Sequence, residues 1–477
     1  MRALYSASRL EEAIAKLLSV LNELGVVISG DLDTLLTGTK SMLAQYSDEQ
    51  LLSGTVMTDK KRLMTMKFLS IIQLCLFHAN PKSQPKATLQ MVQYSLRHGM
   101  CGLSSVGFAF YGSFLACIGE IPAGYRYVKF AIKLAEKLET KDCMGDVLAV
   151  GGQVLGYVEP LQSLKDVMIR GYEYSLMKGN ISSAKLSLVS SVVCEYWSGK
   201  QLSLVKSAMD DVLHRMSSQY STALMLFLNL YRSALAIIGN VDDVPMVLGS
   251  RADVETVEER KIAETNMHLL KTVHFNRMYI GFMFRRYDEV KRLADAYDAI
   301  ASLPFSAILI SHCFHLFYWG LINFWVARKT GEAVWLDRGK EAVLKMRSYA
   351  NNSSWNFSNK LHLLQAEQCF HLKDFGSAMR HYDDAISLAK DFNFVHEEAL
   401  ACELAGYFLL ERGEGKFSLS YFQRAQTRYH AWGAYAKEES MKAFIKEQFG
   451  ETKEGEATWE DITTTTTSST DPRKRKA

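Results

Sequence analysis

Proline is scarce. The 477 residues contain seven: Pro81, Pro85, Pro122, Pro160, Pro245, Pro304 and Pro472. Proline breaks helix interiors, because it lacks an N–H and clashes with the preceding turn. Long proline-free runs rich in Leu, Ala, Lys and Glu therefore favour an all-α chain. A disulfide framework is also missing. The eight cysteines (Cys75, Cys101, Cys117, Cys143, Cys194, Cys313, Cys369 and Cys402) are scattered, with no CxxC pair. Most lie in apolar helical runs, where a thiol behaves as a small core residue. This usage points to a reducing compartment. Nor is there an excess of one charge: 55 Lys and Arg face 52 Asp and Glu, a net charge of +3. A broad electrostatic footprint on nucleic acid is thus unsupported.

Catalytic signatures are lacking too. A phosphate-cradling loop needs GxxxxGK followed by Ser or Thr. "LTGTKS" at Leu36–Ser41 has Gly38 and Lys40 at the wrong spacing, and Gly199–Lys200, Gly339–Lys340 and Gly415–Lys416 lack the hydroxyl. HExxH does not occur. His312 and His315 stand three apart on one helix face, but with only Cys313 nearby they read as core or groove residues rather than metal ligands. His396, Glu397 and Glu398 open the segment "VHEEALACELAG", where acids suit the helix dipole. Arg277, Arg285, Arg286 and Lys291 read as a solvated face rather than an anion site. Trp319, Trp325, Trp335 and Trp355 read as packing residues. No catalytic, cofactor-binding or metal-ligating residue is assigned, and no cofactor is expected.

The N-terminus carries Glu11 and Glu12 before any long apolar run, which disfavours a secretory or transit signal. The expected location is the cytoplasm. "RKRK" at Arg473–Lys476 offers a nuclear import signal, with a solubilising end as the preferred reading. Two charge-free stretches, 99–119 and 301–327, have the length to be weighed as membrane spans. A helix that is apolar all round can equally be buried by neighbours, and His312, His315 and Asn323 are costly in lipid. An internal helix is preferred to a membrane span at 301–327.

What the chain does have is a recurring ladder. Its length exceeds that of one compact core, and 48% of its residues are hydrophobic. In a tetratricopeptide-like hairpin, helix A carries small residues where helix B approaches, and helix B carries a small–large–small ladder for the next pair. The segment 107–134 fits best. Phe108, Tyr111, Gly112 and Leu115 form helix A, Gly119 caps it, and Ile121, Gly124, Val128 and Ala131 form helix B. The phase returns at Tyr287, Val290, Ala294 and Tyr297. It returns again at Phe375, Ala378, Tyr382 and Ala385, and forty residues later at Gly415, Ser418, Phe422 and Ala425. Ala405 and Gly406 are the small pair facing that last ladder, and Gly413 is the turn. The repeat-packing residues are thus Tyr111, Gly112, Gly124, Ala131, Ala378, Tyr382, Ala385, Gly406, Phe422 and Ala425. The forty-residue spacing requires longer helices or loops than the minimal repeat.

The expectation is an all-α, tetratricopeptide-like α-solenoid of antiparallel helix pairs over residues 1–450, about nine to eleven pairs at that spacing. Residues 10–25 read as a lone helix B. Residues 142–179 and 182–213 read as further pairs, 218–239 as an apolar helix and 240–255 as a long loop. Residues 451–477 read as a disordered polar tail with a basic end.

The segments "GYRYVKFAIKLAEKLETKD", "EPLQSLKDVMIRGYEYSLMKGN" and "FGSAMRHYDDAISLAKDFNFVHEEALACELAGYFLLERG" resemble the helical-repeat region of large multidomain signalling proteins. Those proteins join a serine/threonine-kinase-like domain, a predicted signal-transduction ATPase, the helical array, and often a GAF sensor and a histidine kinase. Residues 378–406 are the most distinctive part, and the resemblance spans roughly residues 8–445. It implies a signalling context and an arm-like scaffold, with a kinase, ATPase or sensor protein as partner. The catalytic residues of the neighbouring domains have no counterparts here, so no activity carries over.

The expected function is therefore non-catalytic protein–protein recognition, with helix A residues lining a concave groove. The alternatives are a hydrolase or nucleotide site between repeats, a membrane-associated protein spanning at 301–327, and a fragment of a larger kinase or ATPase.

Overall fold

The computed structural model describes residues 10–80, 82–216, 222–239, 267–300 and 309–450. The expected loop at 240–255, the tail at 451–477 and the start of the 301–327 stretch lie outside them. The described residues are all-α: they form 21 helices and no strand, with one isolated bridge between Val56 and Met100.

The first half runs α1 (Leu10–Glu23), α2 (Leu32–Leu43), α3 (Asp48–Ser53), α4 (Lys60–Ala79), α5 (Gln84–His98), α6 (Gly102–Cys117), α7 (Ile121–Lys137), α8 (Lys141–Leu155), α9 (Leu164–Met177), α10 (Ile181–Trp197), α11 (Leu202–Met216) and α12 (Thr222–Ile238). The second half runs α13 (Met267–Met283), α14 (Tyr287–Ala299), α15 (Ser311–Thr330), α16 (Ala333–Asn352), α17 (Ser354–His371), α18 (Phe375–Asp391), α19 (Val395–Glu411), α20 (Gly415–Trp432) and α21 (Tyr435–Phe449).

Sequence neighbours pack as hairpins, most extensively α6 with α7, α19 with α20, α17 with α18, and α9 with α10. The A helices also touch the next A helix: α6 with α8, α15 with α17, α17 with α19. Two helices of 17 residues, α18 and α19, with three-residue turns at 392–394 and 412–414, account for the forty-residue spacing. Longer helices, not longer loops, enlarge the repeat.

The turns use one backbone device. A residue with positive φ follows the helix and frees the chain to reverse. Glycine fills it at Gly119, Gly179, Gly199 and Gly413, while Glu139, Arg285, Lys373 and Asn393 occupy it despite their side chains.

Small residues set the closest approach. A Cβ on Gly112 would lie 2.5 Å from the Gly124 carbonyl oxygen, and one on Gly124 equally close to that of Gly112. A Cβ on Gly406 would lie 2.7 Å from the Phe422 ring. Tyr111, Ala131, Ala378, Tyr382, Ala385, Phe422 and Ala425 are all buried.

Beyond nearest-neighbour stacking, the later hairpins fold back on the middle of the chain. Asn356, near the start of α17, donates to the carbonyls of Gly156 and Glu159 at 3.0 and 2.8 Å and accepts from the Leu161 N–H at 3.0 Å. A Cβ on Gly199 would meet His396 Nδ1 at 2.5 Å. Trp197 stacks on Phe314 at 5.0 Å, and the hydroxyls of Tyr196 and Tyr279 lie 3.0 Å apart. These A-helix aromatics face one another. Each such pair adds about 0.5–1.5 kcal/mol beyond its buried area.

The apolar stretch behind the membrane alternative contributes α15, whose central residues from Leu316 to Ala327 are nearly all buried by other helices. Among the described residues, no helix is long and apolar enough to cross a membrane.

Candidate functional site

The densest chemistry lies at the ends of the A helices. Six glutamates are buried among the described residues, and each meets a cation from elsewhere in the fold or from its own turn. Glu195 meets Lys165 and Lys200, Glu367 meets Arg328, Glu397 meets Lys360, Glu398 meets Arg424 and Arg428, Glu403 meets Lys437, and Glu438 meets His430 and Lys442. Removing one partner from such a pair leaves an uncompensated buried charge, so these contacts hold helices in register.

The first turn of α19 shows how the sequence builds this. His396, Glu397 and Glu398 follow Phe394, and all three are buried. Lys360 on α17 places Nζ 2.8 Å from Glu397 Oε2, with both side chains fully enclosed, and also donates to the Asn356 carbonyl at 2.7 Å. Asn359 donates to the same Glu397 oxygen. Glu398 accepts from Arg424 at 2.7 Å and lies 3.1 Å from Arg428, both on α20. The dipole explains why acids are tolerated there. Their partners come from other helices.

His396 stands apart. Its ring lies 5.1 Å from Trp432, and neither ring nitrogen has a hydrogen-bond partner. Its Nε2 is 3.6 Å from Glu397 Oε1, which is also unpaired. Burial, seconded by the Lys360 charge, holds the imidazole well below its usual pKa. Burial raises Glu397 against the opposing pull of Lys360. A neutral imidazole beside a paired carboxylate in a sealed interior is a packing element.

A cavity of about 100 Å³ opens between α10, α12, α13 and α15. Its walls are apolar at Val189, Trp197, Phe227 and Leu230, and polar at Ser190, Asn276, His312 and His315. His315 stacks on Phe275 at 3.7 Å. Cys313 turns away and donates to the Ile310 carbonyl, with burial raising its thiol pKa. The two histidines line this cavity.

The arginine group separates. Arg285 lies over the rings of Trp325 and Tyr407 at 4.1 and 4.4 Å, whereas Lys291 pairs along its own helix with Asp295 at 4.0 Å. Trp325 and Trp335 are buried packing residues, and Trp355 is partly exposed.

One cluster escaped the sequence reading. His362 on α17 and His381 on α18 bring their Nδ1 atoms to 3.1 Å, and Asp384 Oδ2 lies 3.3 Å from His362 Nδ1. Burial lowers the pKa of both histidines, and for His381 the His362 charge adds to it. The only local signal was His381 and Asp384 three apart on one helical face.

No protein-family model matches this chain, and a search of the curated proteins finds no match.

Proposed function

We propose that the chain is a non-catalytic protein-interaction scaffold, a regulatory arm whose partner is a kinase, ATPase or sensor protein. The signalling part of this reading rests on the resemblance of residues 378–406 to the helical arrays of such proteins. The docking part rests on one observation. Apolar side chains stand exposed along the edge made by the α17–α18 and α19–α20 turns: Leu372 (57% exposed), Phe375 (37%) and Phe417 (54%). Phe375 is held rather than adrift. Phe375 packs on Phe408 at 6.1 Å under the Arg412 guanidinium, and Phe417 lies in the first turn of α20. Aromatic side chains beside arginine on a rigid edge are the residue types that anchor protein interfaces. The buried charges support the same reading, since each is engaged in joining helices.

The test is affinity capture with wild type and a Phe375→Asp/Phe417→Asp variant, both checked by circular dichroism. Wild type recovers a kinase, ATPase or sensor protein, and the purified pair binds directly. The variant loses that binding at least tenfold while keeping its helicity. Equal binding by the variant rejects the edge, and turnover of ATP by the purified chain rejects the scaffold reading.

A further inference from the structure

We propose that His362, His381 and Asp384 form a zinc site that staples α17 to α18. The case begins with geometry. The three ligand atoms all lie within 4.8 Å of one another. Zinc bonds to imidazole nitrogen and carboxylate oxygen measure about 2.0–2.2 Å, so two ligands in tetrahedral geometry stand about 3.3–3.6 Å apart. The Nδ1–Nδ1 separation is 3.1 Å, and the His362–Asp384 separation is 3.3 Å. Side-chain adjustments of about an ångström bring the three atoms onto one ion.

Two facing Nδ1 atoms can be satisfied in two ways, by a hydrogen bond between them or by a shared cation. As neutral imidazoles, one must carry its proton on Nδ1 while the other accepts, which forces two different tautomers. Doubly protonated rings would set two N–H groups and two charges against each other. A cation accepts a lone pair from each nitrogen with no demand on the tautomers at Nδ1, and the Asp384 carboxylate offsets its charge. The neutral imidazole is also the form that binds metal. Arg380 and Asp374 flank His381 with opposite charges, so the surroundings neither repel nor trap a cation strongly.

The donor set favours first-row transition ions, zinc among them, over the alkaline-earth ions. Two imidazoles and one carboxylate suit zinc, whereas magnesium and calcium seek oxygen shells. Access is open, with Asp384 56% and His362 28% exposed. Three protein ligands leave a fourth position for water or for a donor from another molecule. This site is independent of the exposed edge invoked for partner binding.

The experiment uses the full chain, stripped with a chelator and titrated with Zn²⁺ against a chromophoric competitor. One tight equivalent binds per chain, Mg²⁺ does not displace it, and Co²⁺ at the same site gives the visible absorption of a four-coordinate ion. His381→Ala weakens binding at least a hundredfold, and Asp384→Asn about tenfold. Asp384 is exposed, so the second variant keeps its fold, which circular dichroism verifies. If Zn²⁺ binds both variants as tightly as wild type, or Co²⁺ yields no such spectrum, the proposal fails. His371 or the His430–Glu438 pair would then account for any residual binding.

Discussion

Lys437 Nζ lies 2.7 Å from Glu403 Oε1, and neither side chain is more than 2% exposed. The same ammonium donates to the Met283 carbonyl at the end of α13, and Tyr429 donates to the other Glu403 oxygen at 2.6 Å. One lysine thus joins α21, α19 and α13. This contact spans 154 residues of the chain, from Met283 to Lys437.

Lys437→Met removes the cation and leaves the Glu403 charge buried with Tyr429 alone. The expected loss is about 3–5 kcal/mol. Adding Glu403→Gln recovers part of it, and the double-mutant cycle yields the coupling. Urea denaturation followed by circular dichroism measures both. A loss below about 1 kcal/mol would mean that the pair is open to water.

Gly112→Ala places a methyl 2.5 Å from the Gly124 carbonyl oxygen, a backbone atom that cannot swing aside, and 2.8 Å from a Val128 methyl. The expected cost is about 1–3 kcal/mol, as for other overpacked cores. Gly376→Ala is the control, because nothing lies within 4 Å of its added Cβ. That change is neutral or mildly stabilising. Thermal melts of the two variants decide whether close approach or helix propensity governs these sites.

Lys373 holds φ at +61°, and Gly413, at the matching place one hairpin later, holds +77°. A side chain in this left-handed conformation costs roughly 1–2 kcal/mol. Lys373→Gly therefore stabilises, by up to about 1 kcal/mol once the looser unfolded chain is counted. Gly413→Ala destabilises by a similar amount, although its Cβ would meet nothing within 4 Å. Opposite shifts in melting temperature are the expected pair of results.

His396 is neutral in the fold, because burial and then Lys360 push its pKa well below the usual value of 6.5. The unfolded chain takes up a proton near pH 6.5 and the folded chain does not. Stability is therefore full above that pH and lost as pH falls, by about 1.4 kcal/mol per pH unit from this one group. His396→Gln removes that contribution to the slope between pH 6.5 and 5. Unfolding free energies of both proteins across that range check it, and parallel curves would place the imidazole in contact with water.

Residues 378–425 show how much the sequence determined. Ala378, Tyr382 and Ala385 recur as Ser418, Phe422 and Ala425 because each ladder packs on the adjacent helix, and helical periodicity alone fixes which side chains share a face. The same local rule exposed the Gly112–Gly124 approach and the glycine turns. It gave His381 and Asp384 a common face but could not supply His362, which arrives from α17. The cations that meet Glu397 and Glu403 and the amide that meets Gly156 were also hidden. Asn356 and Gly156 are 200 residues apart, and no local pattern couples them. Side-chain periodicity decides packing between neighbours. Only the tertiary structure, in which later hairpins pack against the middle of the chain, brings these distant side chains together and gives the buried acids their cations.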